Sequence, residues 1–292
     1  LKNAITIFPS GEYDFSYEYR GDKIDLWLPS NLEKDITYMI VFNTNLKDEH
    51  NVRLKNDIII PFSRKAVFDS KKIQGNIFGD FSSAFILLWF NHLEKDIMLN
   101  LEPDYVLNAS SSSSYEFNFL PEKDFSILAV EQYGSNINYE QRPFSFYRKN
   151  KLSLKDGSLD NINFYLHTIK SEESEDSEEK NDTNEKKNIK TATLTGEVLG
   201  NFIHPISLIL KNKKNEYSNT IQIDGSYILD GILEGEYQLL IYEDRNNNSI
   251  LDMGSFTTNE FAERFFVYPD SLSLRANWEL EIPKWNYNLN KE

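Results

Sequence analysis

The sequence predicts an all-β chain built from tandem antiparallel sandwiches. Three observations carry this: apolar residues recur with period two, turn signals come at short intervals, and one segment repeats without a gap. Tyr13, Phe15, Tyr17 and Tyr19 alternate with polar residues. So do Ile24, Leu26 and Leu28, and then Tyr38, Ile40 and Phe42. Alternation puts one set of side chains on a core face and the other in water. Near the end, Leu272, Leu274, Ala276, Trp278, Leu280 and Ile282 read as one strand, with Trp278 in the core. Turn residues separate the runs at Arg20-Gly21-Asp22, Pro29-Ser30-Asn31, Asp156-Gly157, Asp224-Gly225 and Glu234-Gly235. No amphipathic helix stands out. Thr258–Arg264 is expected to form one or two helical turns.

The repeat matches Tyr115–Glu131 (YEFNFLPEKDFSILAVE) with Tyr227–Glu243 (YILDGILEGEYQLLIYE) at an offset of 112 residues. Upstream, Ile73-Gln74-Gly75 matches Leu194-Thr195-Gly196. A buried strand is expected after each, around Phe85–Trp89 and Ile206–Ile209. This divides the chain into two β modules, at 70–169 and 191–284. An N-terminal region at 1–69 and a short tail at 285–292 flank them. Between the modules, residues 170–190 form an acidic linker. Its Ser171–Lys190 stretch holds eight acids, four lysines and one apolar residue, Ile189. Such a stretch buries too little surface to offset its ordering entropy, so it is expected to be a disordered spacer.

Composition excludes several function classes. The 292 residues contain no cysteine, so disulfides, zinc–thiolate sites and cysteine nucleophiles are absent. The net charge of −15 opposes binding to phosphate backbones, so nucleic acid is not an expected partner. The apolar run Ala84–Phe90 is far shorter than the roughly 20 residues that span a bilayer. The chain begins at Leu1, and Ile5, Ile7 and Phe8 already read as strand, so an upstream continuation is expected.

In the second module the residues Gly196-Glu197-Val198, Gly225-Ser226-Tyr227 and Leu233-Glu234-Gly235-Glu236-Tyr237 fall in one order. That order resembles the transthyretin-like, carboxypeptidase-regulatory-like β-sandwich family. In the hairpin, Gly235 is expected to supply the turn, Leu233 to pack beneath it and Tyr237 to start the buried strand. The first module has Pro121-Glu122-Lys123-Asp124 at the turn instead. Pro29–Phe42 (PSNLEKDITYMIVF) is similar to a signature of bacterial Ig-like domains of the S-layer type, through Leu32, Thr37, Tyr38, Ile40 and Phe42. The first strands usual for that domain are missing, so residues 1–69 resemble an incomplete Ig-like domain. Together the resemblances imply tandem Ig-like and transthyretin-like sandwiches. They imply a non-enzymatic protein, at the bacterial cell surface or outer membrane, lipid-anchored, periplasmic or secreted. Its partner would be a protein or glycan. The alternative is a carbohydrate- or peptide-binding accessory region of a larger secreted enzyme.

The best candidate site is Asp244–Asp252, which reads D-x-N-x-N-x-I-x-D. The side-chain oxygens of Asp244, Asn246, Asn248 and Asp252 fall at loop positions 1, 3, 5 and 9, and the Ile250 carbonyl at position 7. A hard cation such as calcium takes six to eight oxygens, and this spacing wraps a turn around one. Ser249 stands where such loops carry glycine, and Ser255 where they end in an acid. With two formal charges the affinity would be weak, ~10⁻⁴–10⁻³ M. The competing reading is an Asn-rich connection held by Asx turns. No motif requires a cofactor; calcium is the one this loop suits.

No catalytic set emerges. His50, His92, His167 and His204 lie far apart, and no nucleophile elbow, zinc helix or phosphate loop is present. Trp27 has opposite parity to Ile24, Leu26 and Leu28. It is therefore expected to face outward, where its ring can stack on a ligand such as a sugar. The run Ser110–Ser114 is expected to lengthen a turn.

Overall fold

In a computed structural model of the chain, residues 2–20, 23–30, 32–48, 50–55, 57–109, 113–134, 142–149, 151–167, 190–200, 202–258 and 260–286 are described. The expected linker at 170–190 lies outside them except for Lys190, as do residues 287–292 of the tail and 110–112 of the serine run. The chain groups into two compact units. The first comprises Leu1–Lys170 and Met253–Phe261; the second comprises Ser171–Asp252 and Ala262–Glu292. The architecture is all-β, with sheets that are largely antiparallel.

The first unit opens with β1 (Ile5–Phe8), the hairpin β2 (Ser16–Arg20) and β3 (Lys23–Trp27), then β4 (Thr37–Phe42) and β5 (Ile58–Ser63). Strands β1, β4 and β5 form an antiparallel sheet in the order β1-β4-β5. Period two serves both of its faces. Ile5, Ile7, Tyr38 and Ile40 make a small core against Leu26 and Leu28 of the hairpin. Phe8 and Met39, of opposite parity, belong to the larger core of the sandwich that follows. A reciprocal polar clamp holds the start of β4. Asp69 N–H donates to Thr37 Oγ1 at 2.8 Å, and Thr37 N–H donates to Asp69 Oδ2 at 3.3 Å. Lys65 pairs with the same carboxylate at 2.9 Å.

The sandwich contains β6 (Lys71–Gly79), β7 (Phe85–Phe90), α1 (Lys95–Asn100), β8 (Tyr105–Asn108), β9 (Ser114–Leu120), β10 (Asp124–Val130), β11 (Phe144–Phe146), β12 (Leu152–Ser153) and β13 (Phe164–Leu166). One sheet runs β11-β10-β7-β8, with β12 also on β10; the other runs β13-β6-β9. Ile73 and Ile77 of β6 meet Ile86 and Leu88 of β7 in the core between them. Leu87, Trp89, Leu128 and Val130 point the other way and are also buried, against Met98 of α1, Phe146 and Phe256. Strands β7 and β10 are thus covered on both faces. That is why Ala84–Phe90 is continuously apolar rather than alternating. The short helix was not visible in the sequence: among its described side chains Met98 is buried and Ile97 is exposed, which gives no period. Trp89 Nε1–H donates to Leu101 O at 2.9 Å where the helix ends.

The second unit contains β14 (Ala192–Leu199), β15 (Ile206–Lys211), β16 (Glu216–Thr220), β17 (Ser226–Ile232) and β18 (Gly235–Glu243). After the short strands β19 (Met253–Gly254) and β20 (Phe261–Ala262) come β21 (Phe265–Val267), β22 (Leu272–Leu274), β23 (Glu279–Glu281) and β24 (Trp285–Asn286). Its sheets run β17-β14-β23, with β24 also on β14, and β16-β15-β18-β21, with β22 also on β18.

The two sandwiches share one topology. Strand β6 pairs antiparallel with β9 and parallel with β13; β14 does the same with β17 and β23. The repeated sequences fall on β9–β10 and β17–β18. Gly75 pairs with Tyr115, and Gly196 with Tyr227. At both glycines the neighbouring chain comes so close that a Cβ would collide, with the Ile162 carbonyl at Gly75 and with the Tyr227 hydroxyl at Gly196.

Several expectations are corrected. Leu272–Ile282 is not one strand. A turn with Trp278 N–H donating to Arg275 O at 3.1 Å and Asn277 at φ 61° separates β22 from β23. Trp278 stands in this turn rather than in a strand, so it is 61% exposed rather than core, with the Arg275 guanidinium over its ring, while Leu272, Leu274 and Ile282 on either side are buried as expected. Thr258–Arg264 is not helical among its described residues; it leads into β20. Leu233 does not pack beneath the hairpin turn but is exposed, and its carbonyl accepts the Tyr237 hydroxyl at 2.9 Å.

Candidate functional site

The loop Asp244–Asp252 leaves the end of β18 in the second unit. β18 is a central strand, paired along its length with β15, so the loop begins from a fixed point. Asp244 N–H donates to Pro205 O at 2.9 Å, which holds the first residue beside the start of β15. The loop's oxygens then accept its own N–H groups. Asp244 Oδ1 accepts from Asn248 N at 3.1 Å and Oδ2 from Ser249 N at 2.9 Å. Asn246 Oδ1 accepts from Asn248 N at 3.1 Å, and Asn248 Oδ1 from Ile250 N at 2.8 Å. Asp252 Oδ2 accepts the side-chain amides of Asn246 at 2.8 Å and Asn248 at 3.2 Å. Asn247 and Ser249 adopt left-handed φ of 58° and 60°. Ser249 thus takes the backbone conformation that glycine supplies at loop position 6. The structure brings Asp244, Asn246, Asn248 and Asp252 together as a set of Asx turns. The Ile250 side chain is exposed.

Glu263 completes the arrangement and was missed in the sequence. It is 2% exposed. Its Oε1 accepts Arg245 N–H at 2.7 Å and its Oε2 accepts Asp252 N–H at 3.2 Å, and its own N–H donates to Asp252 O at 2.8 Å. It therefore ties both ends of the loop. Burial pushes its carboxyl up to about 7; the two backbone N–H donors pull the other way, and the Asp252 and Asp244 charges add to the rise. No local motif marks Glu263, because its role depends on the chain returning to the loop eleven residues after Asp252. Among the described residues no three His, Asp or Glu side chains are placed to hold a metal ion.

Trp27, on β3 of the first unit, is 48% exposed and faces outward as its parity predicted. The histidines do not converge. His92 lies 3.7 Å from Glu94, and His167 stacks on Tyr165 just after β13.

No protein-family model matches this sequence. No curated protein matches it either. Among solved structures, the similarities are distant. The Bacillus anthracis TIE protein is 12% identical with a TM-score of 0.23, over 96% of this chain and 51% of that one. The chain thus spans about half the length of that protein. The minor pilin of Streptococcus agalactiae is 9% identical with a TM-score of 0.21, over 73% of this chain and 94% of that one. A streptococcal ancillary pilin is 9% identical with a TM-score of 0.21, over 90% of this chain and 81% of that one.

Two outcomes test the site. Asp244→Ala leaves Ser249 N–H without its acceptor and Asn248 N–H with Asn246 Oδ1 alone, so it is expected to cost the second unit about 1–3 kcal/mol. Denaturant unfolding should show the same loss in chelator-treated and calcium-supplemented protein. A loss confined to the calcium-supplemented protein would make the carboxylate an ion ligand. The second outcome concerns pH. Glu263 has a folded pKa of about 7, above the 4.5 of an ordinary glutamate. Between those values the folded state holds a proton that the unfolded chain has released, so stability falls as pH rises through the window. Glu263→Gln is expected to flatten that fall by up to about 3 kcal/mol, as read from unfolding curves across the window. Parallel wild-type and variant profiles would contradict the assignment.

Proposed function

We propose that the chain is a non-enzymatic bacterial cell-surface or secreted protein, an array of β-sandwich modules that spaces and binds. The observation that supports this best is the duplication. One strand topology is built twice, on repeated sequence, with the variation placed in loops and on sheet faces. Duplicated sandwiches supply length and surface, and the chemistry of such folds resides in what is grafted on them. The acidic surface, with a net charge of −15, suits an exposed protein with a non-nucleic-acid partner. No described helix is long and apolar enough to cross a membrane.

A second reading, a carbohydrate- or peptide-binding region of a larger secreted enzyme, is favoured by Trp27, whose half-exposed indole offers a stacking face. In both readings the partner is a protein or glycan met outside the cytoplasm. The test is location. Antibody raised against the purified chain should label intact, unpermeabilised cells of the source organism or be depleted by the culture supernatant. Labelling only after permeabilisation of the inner membrane would overturn the proposal.

A further inference from the structure

A cleft of about 420 Å³ opens within the first unit, between two of its sheets. One wall comes from β1 and β4. Thr6 pairs there with Val41, on the face whose Phe8 is rooted in the larger core. The other wall comes from β7 and β8, where Phe85 pairs with Asn108 and Leu87 with Val106. Ser10 N–H donates to Asp104 O at 2.7 Å, which ties the end of β1 to the start of β8 and fixes the walls against each other. A cavity of this size on rigid strands falls in the range of small-ligand sites.

Two kinds of surface line it. Phe85 and Tyr133 are half-buried, with ring centroids 6.2 Å apart, and Val41 and Val106 extend this apolar floor. Hydroxyls and amides surround the floor, among them Thr6, Ser10, Asn45 and Asn108, and each can donate as well as accept. Asn43 Nδ2–H donates to Asn3 O at 3.1 Å and its Oδ1 accepts Asn45 N–H at 2.9 Å, so one corner is preset. Asp57 and Glu102 add exposed acceptors. Among the described residues that line the cleft, none is Lys, Arg or His.

The duplication shows that the fold does not require the ring pair. Val130 pairs with Phe85 in the first sandwich, and its repeat counterpart Tyr242 pairs with Ser207 in the second. At the same offset Tyr133 corresponds to Arg245. The rings therefore belong to this cleft rather than to the sandwich as such.

An anionic ligand would meet two carboxylates and no counter-charge here. A wholly apolar one would strip water from hydroxyls and amides without replacing its hydrogen bonds. A neutral sugar chain suits both surfaces: its C–H faces lie on aromatic rings, and its hydroxyls exchange hydrogen bonds with amides and carboxylates. We infer that this cleft binds a neutral oligosaccharide, with Phe85 and Tyr133 as the stacking surface and Asn45, Asn108, Asp57 and Glu102 as partners of its hydroxyls. The inference rests on the carbohydrate-binding reading above and gives that reading a place other than Trp27.

The test is calorimetric titration of the full chain at physiological salt. The probes are neutral tetrasaccharides of glucose, galactose, mannose and N-acetylglucosamine. A tetrasaccharide of galacturonic acid and an uncharged peptide of alternating glycine and serine are the comparisons. At least one neutral sugar is expected to bind, and neither comparison. Tyr133→Ala should weaken that binding about fivefold or more, as loss of an aromatic contact does. Asn45→Ala, on an exposed turn, should weaken it about threefold or more with no fall in melting temperature. Trp278→Ala removes an exposed ring of the second unit and should leave affinity within about twofold. Binding by none of the neutral sugars, binding of either comparison in their place, or unchanged affinity in Asn45→Ala would each overturn the inference. Sugar binding lost in Trp27→Ala and kept in Tyr133→Ala would overturn the cleft while the carbohydrate-binding reading stands.

Discussion

The architecture depends on a close approach at two glycines. In each sandwich one strand, β6 or β14, runs between an antiparallel neighbour and a parallel one contributed by the end of the module. Three chains can meet there only if the middle strand presents no side chain at the crossing. Gly75 and Gly196 meet that condition, with the Ile162 carbonyl and the Tyr227 hydroxyl in the space a Cβ would fill. The tyrosine paired with each glycine then uses its ring to fill the core beside the crossing. Small-to-large changes in a packed site force backbone shifts, so this joint constrains both sheets together.

From that joint the rest follows by coverage. Strands β7 and β10 are buried on both faces, and β15 and β18 are the corresponding central strands of the second unit. A loop leaving β18 starts from a rigid base. This is why nine residues rich in Asn and Asp hold a defined shape through their own N–H groups rather than through a core. Glu263 gains its burial from the same return of the chain. A carboxylate that closes a loop by accepting two backbone N–H bonds, yet sits in a desolvated place, is pulled in two directions, and burial dominates.

Much of the fold was legible because period two and the gapless repeat are local properties of the chain. The equivalence of Tyr115 with Tyr227 matched β9 to β17 as the same strand of each sandwich, and the outward parity of Trp27 held. What was not legible depended on breaks in periodicity. The turn at Arg275–Trp278 interrupts the strand while the core parity resumes after it, so the alternation reads as unbroken and nothing but Asn277 marks the turn. The helix at Lys95–Asn100 is too short to show a period of its own. At the candidate loop the sequence showed the oxygens but not whether they face an ion or the loop's N–H groups. Asp and Asn serve both purposes at the same spacing. Glu263 and the cleft beside β8 required three dimensions, since each is defined by residues distant in sequence.

The claim that the glycine joint governs both sandwiches is tested most directly by calorimetric unfolding of the full chain carrying Gly75→Ala or Gly196→Ala. Each substitution is expected to destabilise its own unit by about 1–3 kcal/mol or more and leave the other unit's transition in place. The added methyl meets backbone at Gly75 and a buried ring hydroxyl at Gly196. If both variants unfold within about 0.5 kcal/mol of wild type, as ordinary surface substitutions do, the account is contradicted.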